Sequence, residues 1–286
     1  FIYNHNPVAV HPRQNLLLQA LAKEDLFTVG YDVAMTDSLR YADIVLPACS
    51  PMEYSDLYKS YGHTILQRSK AVIPPVGESR PNTQVFRELA ALFDYTSEEF
   101  TQTDQQMLED AVPDLIAEGE LDDRTHASDR EIVFRDIPPA TPNGKAQLFD
   151  PLEQERSGRG VPGYQELENR KRFTLVSPSS DKRTNSTFGG THANHEQYQV
   201  EICPEDAASL QLDSGQKVKL VNEQAEVILH VAVSDRIKPG LAYVPKGAWC
   251  LASESGRTVN ALIPGHKADM GDGACYYDTQ IDILPV

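Results

Sequence analysis

The sequence predicts an α/β region followed by a β-rich region that closes into a barrel. Over the first ~95 residues short apolar runs alternate with amphipathic segments, the pattern of α/β folds. From Phe173 onward short alternating runs are separated by Gly and Pro turns, which argues for a closed barrel. The stretch between them follows neither pattern. It is rich in acidic residues and Gln from Ser97 to Asp123. These shifts divide the 286 residues into an α/β part over 1–100, a helical and linker part over 101–170 and a barrel over 171–286.

In chain order, Phe1 to Tyr3 forms a strand end and a helix is expected from Pro12 to Lys23, with Leu16, Leu17, Ala20 and Leu21 on one face. Phe27 to Tyr31 is a second strand. Thr36-Asp37-Ser38 caps a short turn of helix, and Ile44-Val45-Leu46 is a third, fully apolar strand ended by Pro47. Asn82 or Thr83 caps a helix whose apolar face holds Val85, Phe86, Leu89, Ala90, Leu92 and Phe93. Thr103-x-x-Gln106 has the form of a capping box. Thr141-Pro142-Asn143-Gly144-Lys145 is a tight turn, since Pro fixes φ and Asn-Gly tolerates positive φ. Strands are then expected at Thr174–Val176, Gln199–Ile202, Lys217–Val221, Glu226–Val233, Leu241–Val244 and Gln280–Leu284, with a short helix opening at Pro204.

Composition excludes several classes. A formal charge of −16 with no basic run argues against nucleic acid as a partner. No apolar run approaches the ~20 residues of a membrane span. Cys49, Cys203, Cys250 and Cys275 form no C-x-x-C pair, so neither a zinc ribbon nor a cluster loop is visible. Scattered thiols fit a reducing compartment and point to a cytoplasmic protein with buried cysteines. An opening inside a strand, with no methionine, points to a chain cut from a longer one.

Ligands of doubly wound sheets sit at the carboxyl ends of strands. Asn6-Pro7 follows the first strand here, and Asp32 with Thr36 follows the second. An Asp accepts paired hydrogen bonds from a guanine edge or a ribose, while an Asn amide and a helix N-terminus hold phosphate. The same residues also serve as ordinary turn formers, and both readings stand. G-x-G-x-x-G is missing, which excludes the usual NAD-binding unit. His192 and His195 lack a third ligand at a recognisable spacing. His63 and His266 are lone histidines, and Glu53, Asp56 and Glu78 read first as solvated carboxylates. No metal site emerges from spacing.

The order of segments carries a resemblance. Tyr3-Asn4-His5-Asn6-Pro7, Asp32-x-x-Met35-Thr36-Asp37-Ser38, Tyr41-Ala42-Asp43-Ile44-Val45-Leu46-Pro47 and the Thr141–Lys145 turn are followed by Leu175-Val176-Ser177-Pro178 and Asn185-Ser186-Thr187-Phe188. Val200-x-Ile202-x-Pro204-x-Asp206-Ala207, Val259-Asn260-Ala261-Leu262 and Asp269-x-Gly271-x-Gly273-Ala274-x-x-Tyr277-Asp278 complete the series. Across nearly its whole length the chain resembles the C-terminal region of the dimethyl sulfoxide reductase family of molybdopterin oxidoreductases.

The resemblance implies a partial Rossmann-like α/β domain and a double-psi β-barrel that bind a bis-molybdopterin guanine dinucleotide molybdenum cofactor. Asn6, Pro7, Asp32 and Thr36 would face a guanosine diphosphate arm. Ser179, Ser180, Asp181, Asn185, Ser186, Thr187 and Phe188, with Asn260, Gly271 and Gly273, would contact pterin and phosphate groups through short polar side chains and backbone N–H groups. The family's molybdenum ligand, and in many members a 4Fe-4S cluster, lie in an N-terminal half with no counterpart here, and none of the four cysteines corresponds to them.

The implied function is the cofactor-binding C-terminal portion of a molybdenum oxidoreductase, either formate dehydrogenase-like or oxyanion- and sulfoxide-reductase-like, and inactive alone. Its partners would be the N-terminal domains of the same chain and electron-transfer subunits. Apolar surface left by missing strands would promote self-association. A molybdenum-free structural subunit of a respiratory complex and a stand-alone nucleotide-binding module are the alternative readings.

Overall fold

The computed structural model describes residues 1–59, 61, 65–112, 125–126, 132, 134–164, 166, 171–190, 198–268 and 271–286. His63, His192 and His195 lie outside them. The chain forms two compact units: one comprises Phe1–Gly30, Met35–Val45 and Phe149–Val286, the other Tyr31–Ala34 and Leu46–Leu148.

The chain opens with strand β1 (Ile2–Tyr3), the single-turn helix α1 (Pro7–Val10) and helix α2 (Gln14–Leu21), followed by β2 (Val29–Asp32) and β3 (Ile44–Pro47). The strands form a three-stranded sheet in the order β1-β2-β3. The helix expected over Pro12–Lys23 is thus shorter, and its buried positions are Gln14 and Leu18, while Leu16 is exposed. The stripe was misassigned because hydrophobicity marks burial only where no polar side chain finds better partners, and Gln14 finds three. The third strand is apolar as expected, but Ile44 and Val45 are exposed.

In the second unit a hairpin of β4 (Asp56–Lys59) and β5 (Ile65–Ser69) pairs antiparallel with β6 (Thr125–His126). Helix α3 (Asn82–Leu92) starts after Pro81, which takes the cap position in extended conformation, so neither Asn82 nor Thr83 caps it. Its buried residues are Val85 and Ala90, whereas Leu92 and Phe93 at its end are exposed. Val85 packs with Tyr31 and Ala48, and the Tyr31 hydroxyl donates to the Arg80 carbonyl at 2.6 Å. Helix α4 (Asp104–Ala111) carries the expected capping box, with Gln106 N–H donating to Thr103 Oγ1 at 3.2 Å and Thr103 N–H to Gln106 Oε1 at 2.8 Å.

Glu53, expected at the surface, is buried instead. Its carboxylate accepts from the Ser50 N–H at 2.6 Å, the Val76 N–H at 2.7 Å and the Ser79 hydroxyl at 3.0 Å, clamping two loop segments together. Hydrogen bonds from Ser50, then Val76 and Ser79, hold the carboxyl at about 2, against an ordinary value of 4.5, with burial opposing them. The folded-state value lies below the unfolded one, so this stabilisation is full above the ordinary value and fades as pH falls toward the folded one. Between about pH 5 and about pH 3 the melting temperature of the wild type is therefore expected to fall more steeply than that of Glu53→Gln. Parallel melting curves for the two proteins over that window would contradict the clamp.

After helix α5 (Pro151–Ser157), capped by Asp150 and ended by Gly158 at φ +78°, the chain builds the barrel. Its strands are β7 (Phe173–Val176), β8 (Gln199–Ile202), β9 (Lys217–Val221), β10 (Glu226–Val233), β11 (Leu241–Tyr243) and β12 (Gln280–Pro285), with helix α6 (Pro204–Leu210) after β8. They close in the order β10-β8-β11-β7-β12-β9. The pairs β10–β8 and β11–β7 are parallel and the others antiparallel. Alternation with period two turns Phe173, Leu175, Val200, Ile202, Val218, Leu220, Val227, Leu229, Val231, Ile281 and Ile283 into one core. Full burial of each such side chain contributes roughly 1.5–3 kcal/mol. The closed barrel expected from the sequence is present. Cys49 and Cys203 are buried as expected, but Cys250 and Cys275 are only partly so.

Candidate functional site at α1 and the barrel loops

Helix α1 has Pro7 at its first position, where the missing N–H is not needed. Asn6 precedes it and is 3% exposed. Its Oδ1 accepts from the Ser38 N–H at 3.3 Å and the Ser38 hydroxyl at 2.7 Å, and that hydroxyl oxygen accepts from the Val8 N–H at 3.0 Å. This fixes the carboxamide with its oxygen on Ser38. The Nδ2 group is left buried with no hydrogen-bond partner. Asn260, 1% exposed, is the mirror case: its Nδ2 donates to the Ala9 carbonyl at 2.8 Å, while its Oδ1 is buried without a partner. An unsatisfied buried polar atom costs about 1–3 kcal/mol, so two of them bordering one helical turn mark a place built for something else.

Three further ties hold this region to the barrel. Gln14 Nε2 donates to the Val8 carbonyl at 2.8 Å and to Thr258 Oγ1 at 3.0 Å, and Gln14 Oε1 accepts from the Thr258 N–H at 2.8 Å. Asp37 accepts from the Cys250 N–H at 2.8 Å. Burial first, then the Asp37 charge, pushes the Cys250 thiol up to about 12, which leaves it protonated and unreactive. The Val259 N–H donates to the Tyr198 hydroxyl at 2.8 Å, and burial raises that phenol well above its usual range.

The loop after β7 forms the next wall. Ser180 Oγ accepts from the N–H groups of Lys182 (3.3 Å) and Arg183 (3.2 Å), closing a hydroxyl turn. Asn185 and Phe188 adopt φ of +52° and +61°, conformations that L residues reach only when their surroundings hold them there. What holds them is the segment after β11. The Trp249 indole N–H donates to the Ser186 carbonyl at 2.9 Å, and Gly247 lies so close to the Asn185 carbonyl that a Cβ would sit 1.5 Å from it. The Lys246 N–H donates to the Pro178 carbonyl at 3.0 Å, and its ammonium lies 5.4 Å from the Tyr276 ring centre. The Tyr276 hydroxyl in turn donates to the Val10 carbonyl at 2.6 Å, linking the loop wall back to α1.

The fold thus connects Asn6 and Pro7, the Ser179–Phe188 loop, Asn260 and the segment carrying Gly271 and Gly273 through one chain of contacts in the first unit. Ser179, Asp181, Asn185, Thr187, Phe188, Gly271 and Gly273 are exposed, and Ser180 and Ser186 partly so. A Cβ on Gly271 or Gly273 would meet nothing, so these glycines leave open space on their surface. Thr36 is buried, with its Oγ1 accepting from the Leu39 N–H at 3.3 Å. Asp32 ends β2 in the second unit, where its Oδ1 accepts from the Val33 N–H at 2.7 Å. Gln14, Lys246 and Trp249 were missed by sequence reasoning: each acts through a partner more than 60 residues away, and no local spacing announces such a partner.

Comparison with known proteins bears on the two segments of the chain. Residues 1–92 match the family model Molybdopterin oxidoreductase, and residues 173–280 match the Molydopterin dinucleotide binding domain. The chain is 34% identical over 304 residues to Probable oxidoreductase YoaE of Bacillus subtilis (strain 168), covering 100% of this chain and 44% of the relative. It is 26% identical over 293 residues to Trimethylamine-N-oxide reductase 1 of Escherichia coli (strain K12), covering 85% of this chain and 34% of that one. Acetylene hydratase from Pelobacter acetylenicus superposes with a TM-score of 0.80 at 18% identity, covering 99% of this chain and 44% of the other, which shows a shared fold. The chain therefore spans less than half the length of these relatives. In its two matched segments, taken in this order, the chain is similar to the dimethyl sulfoxide reductase family of molybdopterin oxidoreductases.

Proposed function

We propose that this chain is the cofactor-binding C-terminal portion of a molybdenum-dependent oxidoreductase, that it holds a molybdopterin guanine dinucleotide, and that it has no complete active site of its own. The observation that carries the reading is the pair of unpartnered buried amide atoms, Asn6 Nδ2 and Asn260 Oδ1, bordering α1. They fit a ligand with alternating donors and acceptors. Asn6 would donate to a phosphate or carbonyl oxygen, and Asn260 would accept from a pterin or guanine N–H. Pro7 and Thr36 would shape the α1 side of the site. The loop residues Ser179, Ser180, Asp181, Asn185, Ser186, Thr187 and Phe188, with Gly271 and Gly273, would line the pterin and phosphate side. Asp32 would accept from a guanine edge or ribose hydroxyl.

The bound cofactor would supply a metal centre that moves electron pairs. This chain's residues orient the cofactor's arms and keep water from its buried polar atoms. Relatives named for trimethylamine-N-oxide reduction support an oxide-reducing activity for the whole protein over a formate dehydrogenase-like one. A cytoplasmic setting, further domains of the same chain bearing the metal ligand and any iron–sulfur cluster, and electron-transfer partners belong to the same reading. The exposed apolar residues Phe1, Tyr3, Phe27, Ile44 and Val45 support further chain, or a second copy, covering the sheet.

Molybdenum and released pterin measured in the purified full-length protein test the proposal. Both are expected near one cofactor per chain. Asn6→Asp keeps the acceptor for Ser38 but turns the unpartnered donor into an acceptor, and it is expected to lower both by about tenfold or more. Absence of both from the wild type would favour a molybdenum-free structural role, and full retention in Asn6→Asp would remove Asn6 from the site.

A further inference from the structure

The segment after the Val259–Ala261 turn doubles back as a hairpin. Lys267 and Ala274 form an antiparallel bridge, and the Ala268 N–H donates to the Gly273 carbonyl at 2.7 Å. The bridge sets the residues flanking it, His266 and Cys275, side by side. Cys275 then opens a 3-10 turn over Tyr276–Asp278. Residues three apart eclipse one another in such a turn, so Asp278 falls on the same side as Cys275. The result is a His-x8-Cys-x2-Asp set in which one ligand atom from each side chain lies within 4.8 Å of the other two. His266 Nε2 and Asp278 Oδ2 are 2.9 Å apart.

We propose that His266, Cys275 and Asp278 form a site for a divalent transition-metal ion of the zinc type, with its fourth coordination position open to solvent. In tetrahedral zinc the bonds to S, N and O imply ligand-to-ligand separations of roughly 3.3–3.6 Å, against 2.9 Å between His266 and Asp278 and a limit of 4.8 Å for the whole set. Small side-chain rotations are enough to reach them. The donor set is one imidazole, one thiol and one carboxylate, which suits zinc or cobalt and not the all-oxygen shells of magnesium or calcium. The His266 side chain is 50% exposed, which supplies both an entry path and the open position.

The frame is already built. The Tyr276 hydroxyl is tied to Val10, the Thr279 hydroxyl donates to the Tyr276 carbonyl at 2.9 Å, and β12 follows directly in the barrel. Asp272 engages Arg156 at 3.4 Å and Lys267, the chain neighbour of His266, at 3.9 Å, partly neutralising both cations. A metal here closes the base of the hairpin that bears Gly271 and Gly273. The site does not depend on the cofactor proposed above.

Cobalt titration of the full chain, after dialysis against a chelator, tests this site. One equivalent of Co2+ is expected to produce a thiolate-to-cobalt charge-transfer band that Zn2+ displaces. Cys275→Ser should abolish that band. His266→Gln and Asp278→Asn should weaken cobalt binding by at least about tenfold, the loss seen even for outer-shell partners. Asp272→Asn should leave it intact, and Trp249 fluorescence checks that every variant is folded. A wild type with no band, or a band that survives Cys275→Ser in folded protein, overturns the proposal.

Discussion

Gln14→Leu is expected to lower the stability of the barrel unit by about 3 kcal/mol, although it puts an apolar side chain where one faces the interior. Gln14 is fully buried, and its amide serves the Val8 carbonyl and both polar groups of Thr258 that it meets. Leucine fills a similar volume but leaves the Val8 carbonyl and the Thr258 N–H buried with nothing to replace water. Each such loss costs about 1–3 kcal/mol, which outweighs the gain from burying a few extra methyl groups. Gln14→Glu keeps the acceptor for Thr258 but sets a buried carboxylate oxygen against the Val8 carbonyl, and should cost at least as much. Trp249, the only tryptophan in the chain, reports urea unfolding of this unit directly. A Gln14→Leu protein within about 1 kcal/mol of wild type would mean that the amide does not hold α2 to the barrel.

Gly247→Ala should be comparably damaging for a different reason. Gly247 has φ +88°, and its added Cβ would lie 1.5 Å from the Asn185 carbonyl oxygen, a backbone atom that cannot swing away. Either Gly247 or the Asn185–Phe188 turn must move. We expect a loss of about 2 kcal/mol or more. Gly215, at φ +90° with open space around its Cβ position, isolates the backbone contribution. Gly215→Ala is expected to cost about 1 kcal/mol. Because the Trp249 indole is bonded to Ser186, displacement of the loop should also shift Trp249 emission in Gly247→Ala and not in Gly215→Ala. Equal effects of the two substitutions, with unchanged emission, would show that the close approach does not set the loop.

The barrel strands were legible to within a residue at their ends because they are amphipathic with period two, and burial follows the alternation. Lys217–Val221 and Glu226–Val233 are read directly from Val218, Leu220, Val227, Leu229 and Val231. The capping box at Thr103 and Gln106 was legible because both partners lie within one turn. The α2 face was not. Gln14 is buried through Thr258, and no window around Gln14 contains that information. Glu53 looked like a surface carboxylate for the same reason, since two of its donors are Val76 and Ser79.

Local pattern therefore determined the β-strands of the barrel, the turn residues and the polar strand ends, all properties of neighbours in sequence. Tertiary structure alone decided which polar groups are satisfied. It paired Gln14 with Thr258, Asp37 with Cys250 and His266 with Asp278, and it left Asn6 Nδ2 and Asn260 Oδ1 without partners. A hydrogen bond depends on separation in space, which the fold sets between residues as many as 266 positions apart, and composition and period do not encode it.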